Sequence, residues 1–372
     1  MTTAFARRSA PVPAGRHLLD QGPSGTAFVS WGAVAARSQE IAAALGGEAC
    51  AIRHLPQASS AWVPLRWALN TVGTLRYLRA HRPTAVIVTN PPVLAPLTVL
   101  AWARLAGAVV VVDSHPGGFG AQGDRVAARL QRAHAWLVPR ARAVLVTCDE
   151  WGDVVRRWGG QAIVMHEAPP SWEIPAAPPL IGRPKVLYIG TFGGDEPIGD
   201  LVEAASLVPG ADFVVTGDLA KAPPALAARA PGNVHLVGYL DQAHYRQALA
   251  DADLVVSLTT EPTSVMRAAC EAVWARRPLV VSDWPVLAEA FPAAVLAGPG
   301  PEGIASAIQR GIALNADLRA KADGARATQL QRWSTQLRVL ERVLATPPPA
   351  RRWRHPRPAP QSYTSRVKGD PR

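Results

Sequence analysis

Lysine is missing from the first 170 residues of this 372-residue chain, and cysteine is scarce throughout, with only Cys50, Cys148 and Cys270. The three thiols are scattered. They form no metal-spaced cluster and no paired framework, so reduced thiols in a cytosolic setting are expected. Residues 1–25 contain arginines and prolines but no apolar core of the kind a secretory signal needs. Residues 85–112 are nearly all apolar, yet Asn90, Pro91, Pro92 and Arg104 interrupt them, which excludes a plain membrane span. No P-loop Gly-Lys-Ser/Thr occurs, and no zinc-finger, RNA-recognition or bZIP pattern points to nucleic acid. From Tyr188 to Ala220 there is no cation at all.

The charge that is present is unevenly spread. Residues 1–170 carry 17 Lys+Arg, every one an arginine, against 9 Asp+Glu. Residues 171–346 carry 15 against 18, and residues 347–372 carry 7 against 1. A basic first half and tail fit an anionic surface such as a membrane. An arginine-only bias also suits a GC-rich genome with no function attached. The helix expected at Trp62–His81 mixes Trp62, Arg66, Trp67, Arg76, Tyr77 and Arg79 with Leu65, Leu69, Val72 and Leu75. It reads either as a headgroup-facing helix or as an ordinary amphipathic one.

Apolar strands alternate with longer helical patterns along most of the chain. Strands are expected at 27–31, 49–53, 85–89, 108–112, 143–147 and 162–165, with helices between them. After six prolines in 167–184 the pattern restarts, with strands at 186–189, 213–216, 234–237, 254–258 and 279–281. Such alternation predicts an α/β fold of two Rossmann-like, doubly wound domains facing across a cleft. The expected organisation is a disordered arm at 1–24, a first domain at 25–168 and a proline-rich linker at 169–184. A second domain at 185–315, C-terminal helices at 316–346 and a basic disordered tail at 347–372 follow.

Residues 260–285 carry the sharpest local signal. A strand enters a polar turn, and a helix is expected to open at Thr263 or Ser264. A helix starting at the carboxyl end of a parallel strand offers free N–H groups to an anion. Ser264, Arg267 and Glu271 would share one face, while Val265, Ala269 and Val273 could pack on the sheet. A hydroxyl, a cation and a carboxylate suit a nucleotide diphosphate and its ribose. Arg267 paired with Glu271 on a solvated face is the plainer reading. Three second-half strands also end in glycine, at Gly190-Thr191-Phe192-Gly193, Gly217 and Gly238-Tyr239. Glycine lets a backbone approach a ligand, although 190–195 is not the dinucleotide fingerprint and a plain βα turn uses the same residues.

The run from Val186 to about Ala313 resembles the donor domain of GT-B glycosyltransferases, close to family four. The carrying segments are Asn233-Val-His-Leu-Val-Gly-Tyr-Leu-Asp-Gln-Ala-His-Tyr-Arg, Ala252-Asp-Leu-Val-Val-Ser-Leu and Cys270-Glu-Ala-Val-Trp-Ala-Arg-Arg-Pro-Leu-Val. In that family a Glu-x7-Glu motif contacts the donor. The resemblance puts Glu271 at the ribose position and Thr263 where the first glutamate stands, with Glu261 two residues further back. Relatives place an Arg and a Lys after the first donor strand, whereas this chain has Thr191. Arg267 and the helix start, with Thr263, Ser264 and Val265, are then the donor-side contacts, together with Gly190, Thr191, Phe192, Gly193, Gly217, Gly238, Tyr239 and Glu261.

The first half carries a weaker resemblance. Val88-Thr-Asn-Pro-Pro and Val112-Asp-Ser-His-Pro-Gly-Gly-Phe are similar to segments of GT-B enzymes acting on lipid-linked sugars, including β-mannosyltransferases. This implies a site histidine at His115. Asp113 would orient it, act as a base or simply cap a turn. Trp31, Arg37 and Asn90 are the expected acceptor contacts. Asp251-Ala-Asp253 precedes its strand, so the metal role of a GT-A Asp-x-Asp pair is rejected, and no metal or cofactor is expected besides a UDP- or GDP-linked sugar. The reading is a hexosyltransferase for a glycan or lipid-linked acceptor in cell-surface polysaccharide or glycolipid synthesis, cytoplasmic or peripheral on the inner membrane face. A nucleotide-sugar-binding subunit with a degenerate site and a GT-B epimerase are the rivals. Retaining and inverting chemistry both stay open.

Overall fold

The computed structural model describes residues 25–32, 35–55, 62–119, 125–174 and 180–346. The arm expected at 1–24, the tail at 347–372 and part of the linker lie outside these residues. Two sheets of six parallel strands dominate.

The first sheet contains β1 (Thr26–Ser30), β2 (Glu48–Ala51), β3 (Ala85–Asn90), β4 (Val109–Ser114), β5 (Ala143–Val146) and β6 (Ala162–Val164). Their order is β2-β1-β3-β4-β5-β6. The intervening helices are α1 (Ala36–Ala44), α2 (Val63–His81), α3 (Leu94–Ala106), α4 (Arg125–Leu137) and α5 (Asp149–Arg157). Ala85–Val88 and Val109–Val112 are buried on both faces, so these strands read as unbroken apolar runs rather than alternating ones. The apparent membrane span is therefore β3, α3 and β4.

The second sheet contains β7 (Lys185–Ile189), β8 (Asp212–Thr216), β9 (Val234–Gly238), β10 (Leu254–Ser257), β11 (Leu279–Ser282) and β12 (Val295–Ala297). Their order is β12-β11-β10-β7-β8-β9. The chain starts in the middle at β7, winds outward to β9, then crosses back to β10 and winds the other way. Strand order reverses between β7 and β10, the place where open α/β sheets leave a crevice at the strands' carboxyl ends. The helices are α6 (Ile198–Ser206), α7 (Leu226–Arg229), α8 (Gln242–Asp251), α9 (Arg267–Trp274), α10 (Pro285–Ala290) and α11 (Gly300–Ala313). A final helix, α12 (Asn315–Ala345), returns to the first sheet. There Trp333, Leu340, Val343 and Leu344 join the core formed by Phe28, Ile87 and Leu145.

One expected boundary is corrected. The helix carrying Glu271 opens at Arg267, not at Thr263 or Ser264. Tertiary bonds hold the preceding segment out of helical geometry. Thr260 donates from N to the Asp195 carbonyl at 2.7 Å and from Oγ1 at 3.1 Å. Thr259 accepts from Trp284 Nε1 through its carbonyl at 3.0 Å and donates from N to Ser282 Oγ at 2.9 Å. Pro262 also disfavours helical backbone at Glu261. Ser264 thus sits in a turn, its N–H on the Glu261 carbonyl at 3.2 Å, and does not share a helix face with Arg267 and Glu271.

Candidate active site

A cleft of about 390 Å³ opens at the reversal point of the second sheet. Its floor is the ends of β7, β8 and β10, at Ile189-Gly190, Thr216-Gly217 and Ser257-Leu258. Its walls include Tyr239, Tyr245, Arg267 and Glu271. Of the residues expected on the donor side, Gly190, Thr191, Gly217, Tyr239, Arg267 and Glu271 line this space.

The others lie elsewhere. The Phe192 side chain is buried in the core against Gly217, where a Cβ would collide with its ring. Gly193 lies behind the lining residues Thr191 and Asp195, and Gly238 sits at φ 77° beside Leu219. Val265 packs against the core containing Cys270 and Leu287. Glu261 uses its N–H on Thr259 Oγ1 at 3.1 Å, and the Thr263 carbonyl accepts from Cys148 Sγ at 3.6 Å. Core packing draws Phe192 and Val265 inward, which spacing along a presumed helix does not reveal.

On the first sheet the carboxyl strand ends gather the expected acceptor-side residues. Asn90 ends β3, Asp113 is the penultimate residue of β4, and His115 follows the strand. His115 Nε2 stands 3.7 Å from Asp113 Oδ2, with the imidazole 39% exposed and the carboxylate 2% exposed. Asp113 is therefore placed to orient His115. It is also held by Arg37, with Nη2 to Oδ1 at 3.2 Å. Trp31, expected to contact an acceptor, is a buried core residue whose Nε1 donates to Thr74 Oγ1 at 2.8 Å. Asn90 is likewise buried, donating to Ser114 Oγ at 3.3 Å. Arg37 spends its remaining donors on the Met165 carbonyl at 3.0 Å, the His166 carbonyl at 3.1 Å and the Glu167 carboxylate at 3.2 Å. These three side chains are buried, which leaves His115 as the accessible member of the group.

A chain of ion pairs joins the two sheets. It runs from Asp113 to Arg37, on to Glu167, then to Arg267, which also reaches Glu40 and Glu271. The Arg267 distances are 2.9 Å to Glu40, 2.9 Å to Glu167 and 2.8 Å to Glu271. Burial opposes the charge on both arginines, but the surrounding carboxylates outweigh it and raise both pKa values further. Glu40 shifts upward because burial outweighs its bond to Arg267. Tyr245 donates its hydroxyl to Glu271, and burial together with that carboxylate holds the phenol protonated. Tyr245, Glu40 and Glu167 were not among the expected site residues. Tyr245 had a signal, since it is the penultimate residue of the 233–246 segment that resembles the donor domain. Glu40 and Glu167 had none, because their partner lies 227 and 100 residues away.

Asp251 and Asp253 lie at the amino end of β10, opposite to the cleft. Asp253 accepts from Lys185 N at 2.9 Å and pairs with Arg319 at 2.8 Å, while Asp251 ends α8 and accepts from Gln247 at 2.9 Å.

Residues 14–170 match the model of the glycosyl transferase 4-like domain, and residues 183–313 match that of glycosyl transferases group 1. The chain belongs to the family-four-like GT-B glycosyltransferases. Solved structures share its fold. Sucrose-phosphate synthase from Thermosynechococcus elongatus aligns at 16% identity over 86% of this chain and 98% of that one, with a TM-score of 0.66. HepE from Anabaena, in complex with UDP and glucose, aligns at 15% identity over 87% and 99%, with a TM-score of 0.64. A glycosyltransferase from Rickettsia africae aligns at 13% identity over 86% and 99%, with a TM-score of 0.63. No curated protein matches the sequence. In this glycosyltransferase, the cleft at the reversal point is the donor-side candidate, and His115 is the exposed member of the expected first-sheet group.

Proposed function

We propose that this glycosyltransferase takes a UDP- or GDP-linked sugar in the cleft at β7, β8 and β10 and passes the sugar to a glycan or lipid-linked acceptor held against the first sheet. The observation that carries this reading is Glu271. It lines the cleft with its carboxylate fixed from two sides, by Tyr245 and by Arg267, where it can accept hydrogen bonds from a ribose. A pre-oriented acceptor group of this kind loses little entropy on binding a diol. The acceptor hydroxyl would attack the anomeric carbon as the bond to the diphosphate breaks. His115, oriented by Asp113, would take up or relay the acceptor proton. HepE, solved with UDP-glucose, supports a nucleotide-sugar donor in this fold.

The reading includes no resident metal, because the Asp-x-Asp pair is spent on the amino end of β10. It also places the enzyme at the cytoplasmic face of a membrane, in cell-surface polysaccharide or glycolipid synthesis. Support comes from α2, which exposes Trp62, Leu65 and Val72 beside Arg76 and Arg79. No helix among the described residues is long and apolar enough to cross a membrane. A second reading, a nucleotide-sugar-binding subunit that does not transfer, is favoured by one observation. Arg267, the cation on the cleft wall, is already bound to three carboxylates.

The test is Glu271→Ala. Nucleotide affinity and sugar transfer should both fall, by about tenfold or more for a lost charged hydrogen-bond acceptor. Unchanged donor hydrolysis and transfer in that variant would sink the assignment. Tight nucleotide binding by the unaltered chain, with no transfer to any acceptor in a membrane extract, would support the binding subunit instead.

A further inference from the structure

The turn between β7 and α6 has the form of an anion receptor. Thr191 and Phe192 present consecutive N–H groups, and Phe192 sits at φ 57°, a backbone region that non-glycine residues rarely adopt. Turns with a left-handed residue form concave nests of N–H donors that hold anions. This one is kept in place by the Phe192 ring, which is buried and pressed on Gly217.

The anion in the nest belongs to the protein. Glu196 accepts from Thr191 N at 2.9 Å through each carboxylate oxygen. It accepts from Thr191 Oγ1 at 2.9 Å, from Phe192 N at 2.8 Å and from the Tyr188 hydroxyl at 3.4 Å. Thr191 and Glu196 both line the cleft, so the filled nest faces the space where a donor would lie. The other charged groups on that wall are Asp195, Glu271 and Arg267. An incoming diphosphate thus meets three carboxylates and one arginine that is already paired with three carboxylates of the protein.

We propose that Glu196 is a built-in occupant of the diphosphate subsite, and that a nucleoside diphosphate binds by displacing its carboxylate from the Thr191–Phe192 nest. This rests on the glycosyltransferase reading and adds a consequence for turnover. Transfer breaks the bond between the anomeric carbon and the diphosphate oxygen and forms one to the acceptor oxygen, whose proton leaves. The nucleoside diphosphate left behind carries more negative charge than the nucleotide sugar did. A competing carboxylate therefore acts more strongly against product than against donor, and Glu196 becomes a specificity element that favours product release.

The experiment is calorimetric titration of UDP, GDP and inorganic pyrophosphate into the unaltered chain and into Glu196→Gln, which keeps the side-chain volume and removes the charge. Pyrophosphate probes the nest without assuming a base. The variant should bind pyrophosphate and at least one nucleoside diphosphate tenfold or more tightly, with a smaller gain for the corresponding nucleotide sugar. Its ligand-free melting temperature should fall, because the nest has lost its anion, while the rise in melting temperature on adding pyrophosphate should grow. A residue that merely braced the turn would lower both. Glu196→Ala should behave in the same way, which guards against a fold defect peculiar to glutamine. Equal or weaker binding in folded variants overturns the proposal and, where nucleotide still binds, leaves the donor reading intact. A pyrophosphate gain with no binding of either nucleoside diphosphate keeps the nest and sinks the donor reading. No binding of any probe to any form overturns both.

Discussion

The buried His134 ring pairs its Nε2 with the Ser114 hydroxyl at 3.0 Å and its Nδ1 with the Gly118 carbonyl at 2.9 Å. A carbonyl needs a donor, so the neutral ring carries its proton on Nδ1, and Nε2 accepts from Ser114. This bridge pins the turn that follows His115 to the end of β4. Burial pushes the His134 pKa down to about 4, despite the Gly118 bond. Burial also lowers His166 to about 4, with Arg332 and Arg37 adding to the effect. The folded pKa values lie below the unfolded value, so the unfolded chain binds more protons between about pH 6.5 and 4. Stability should be level above that window and fall within it, by up to about 3 kcal/mol for each ring. Urea unfolding at pH 7 and pH 4.5 measures this. His134→Gln should lose less stability between the two pH values than the unaltered chain does, and equal losses would contradict the account. Sequence singled out His115 but not His134. Both follow from tertiary placement, but only His115 sits in a segment with family resemblance.

At the level of elements, the loops after β7 and β8 support each other. The Phe192 side chain fills the space that a side chain at Gly217 would need, so Gly217→Ala must displace that ring or move the β8 end. Overpacking of this kind costs about 1–3 kcal/mol. Because Phe192 also supplies a nest N–H, the substitution should lower both melting temperature and pyrophosphate affinity. An alanine variant as stable as the parent would show that the two loops are not coupled. Long elements were legible from apolar runs and helical spacing, and α4 spans Arg125–Leu137 as the sequence implies. Some short ones were not, although the three-residue β6 was. β12 has three residues and α10 six, too few for any period to show. The opening of α9 was misplaced because Thr263 and Ser264 look like caps, whereas the bonds that set the true boundary come from Asp195, Ser282 and Trp284. Periodicity carries no information about those partners.

Across the whole molecule, topology decides where the candidate site lies. The second sheet reverses between β7 and β10, and the cleft opens there. Alternating strands and helices made two doubly wound units legible, along with Glu271 and the glycines at the strand ends. The charge balance of the site was not legible. Arg267 read as a free cation for a diphosphate or as a solvated partner of Glu271. It makes that pair, and it also crosses to Glu40 and Glu167 of the first sheet. Two arginines and four carboxylates then form a seam between the sheets. Such a seam depends on which side chains meet across the fold, not on local spacing. The central claim is that the cleft binds a nucleoside-diphosphate sugar. Its most direct test is thermal unfolding of the unaltered chain across UDP-, GDP- and other nucleotide sugars. Ligand at about 100 times its dissociation constant stabilises by about 2.7 kcal/mol, or roughly 2–4 °C per kcal/mol for domains of this size. At least one nucleotide sugar should raise the melting temperature in a concentration-dependent way, and Glu271→Ala should abolish most of the rise. No shift with any nucleotide sugar, or an equal shift in Glu271→Ala, would contradict the account.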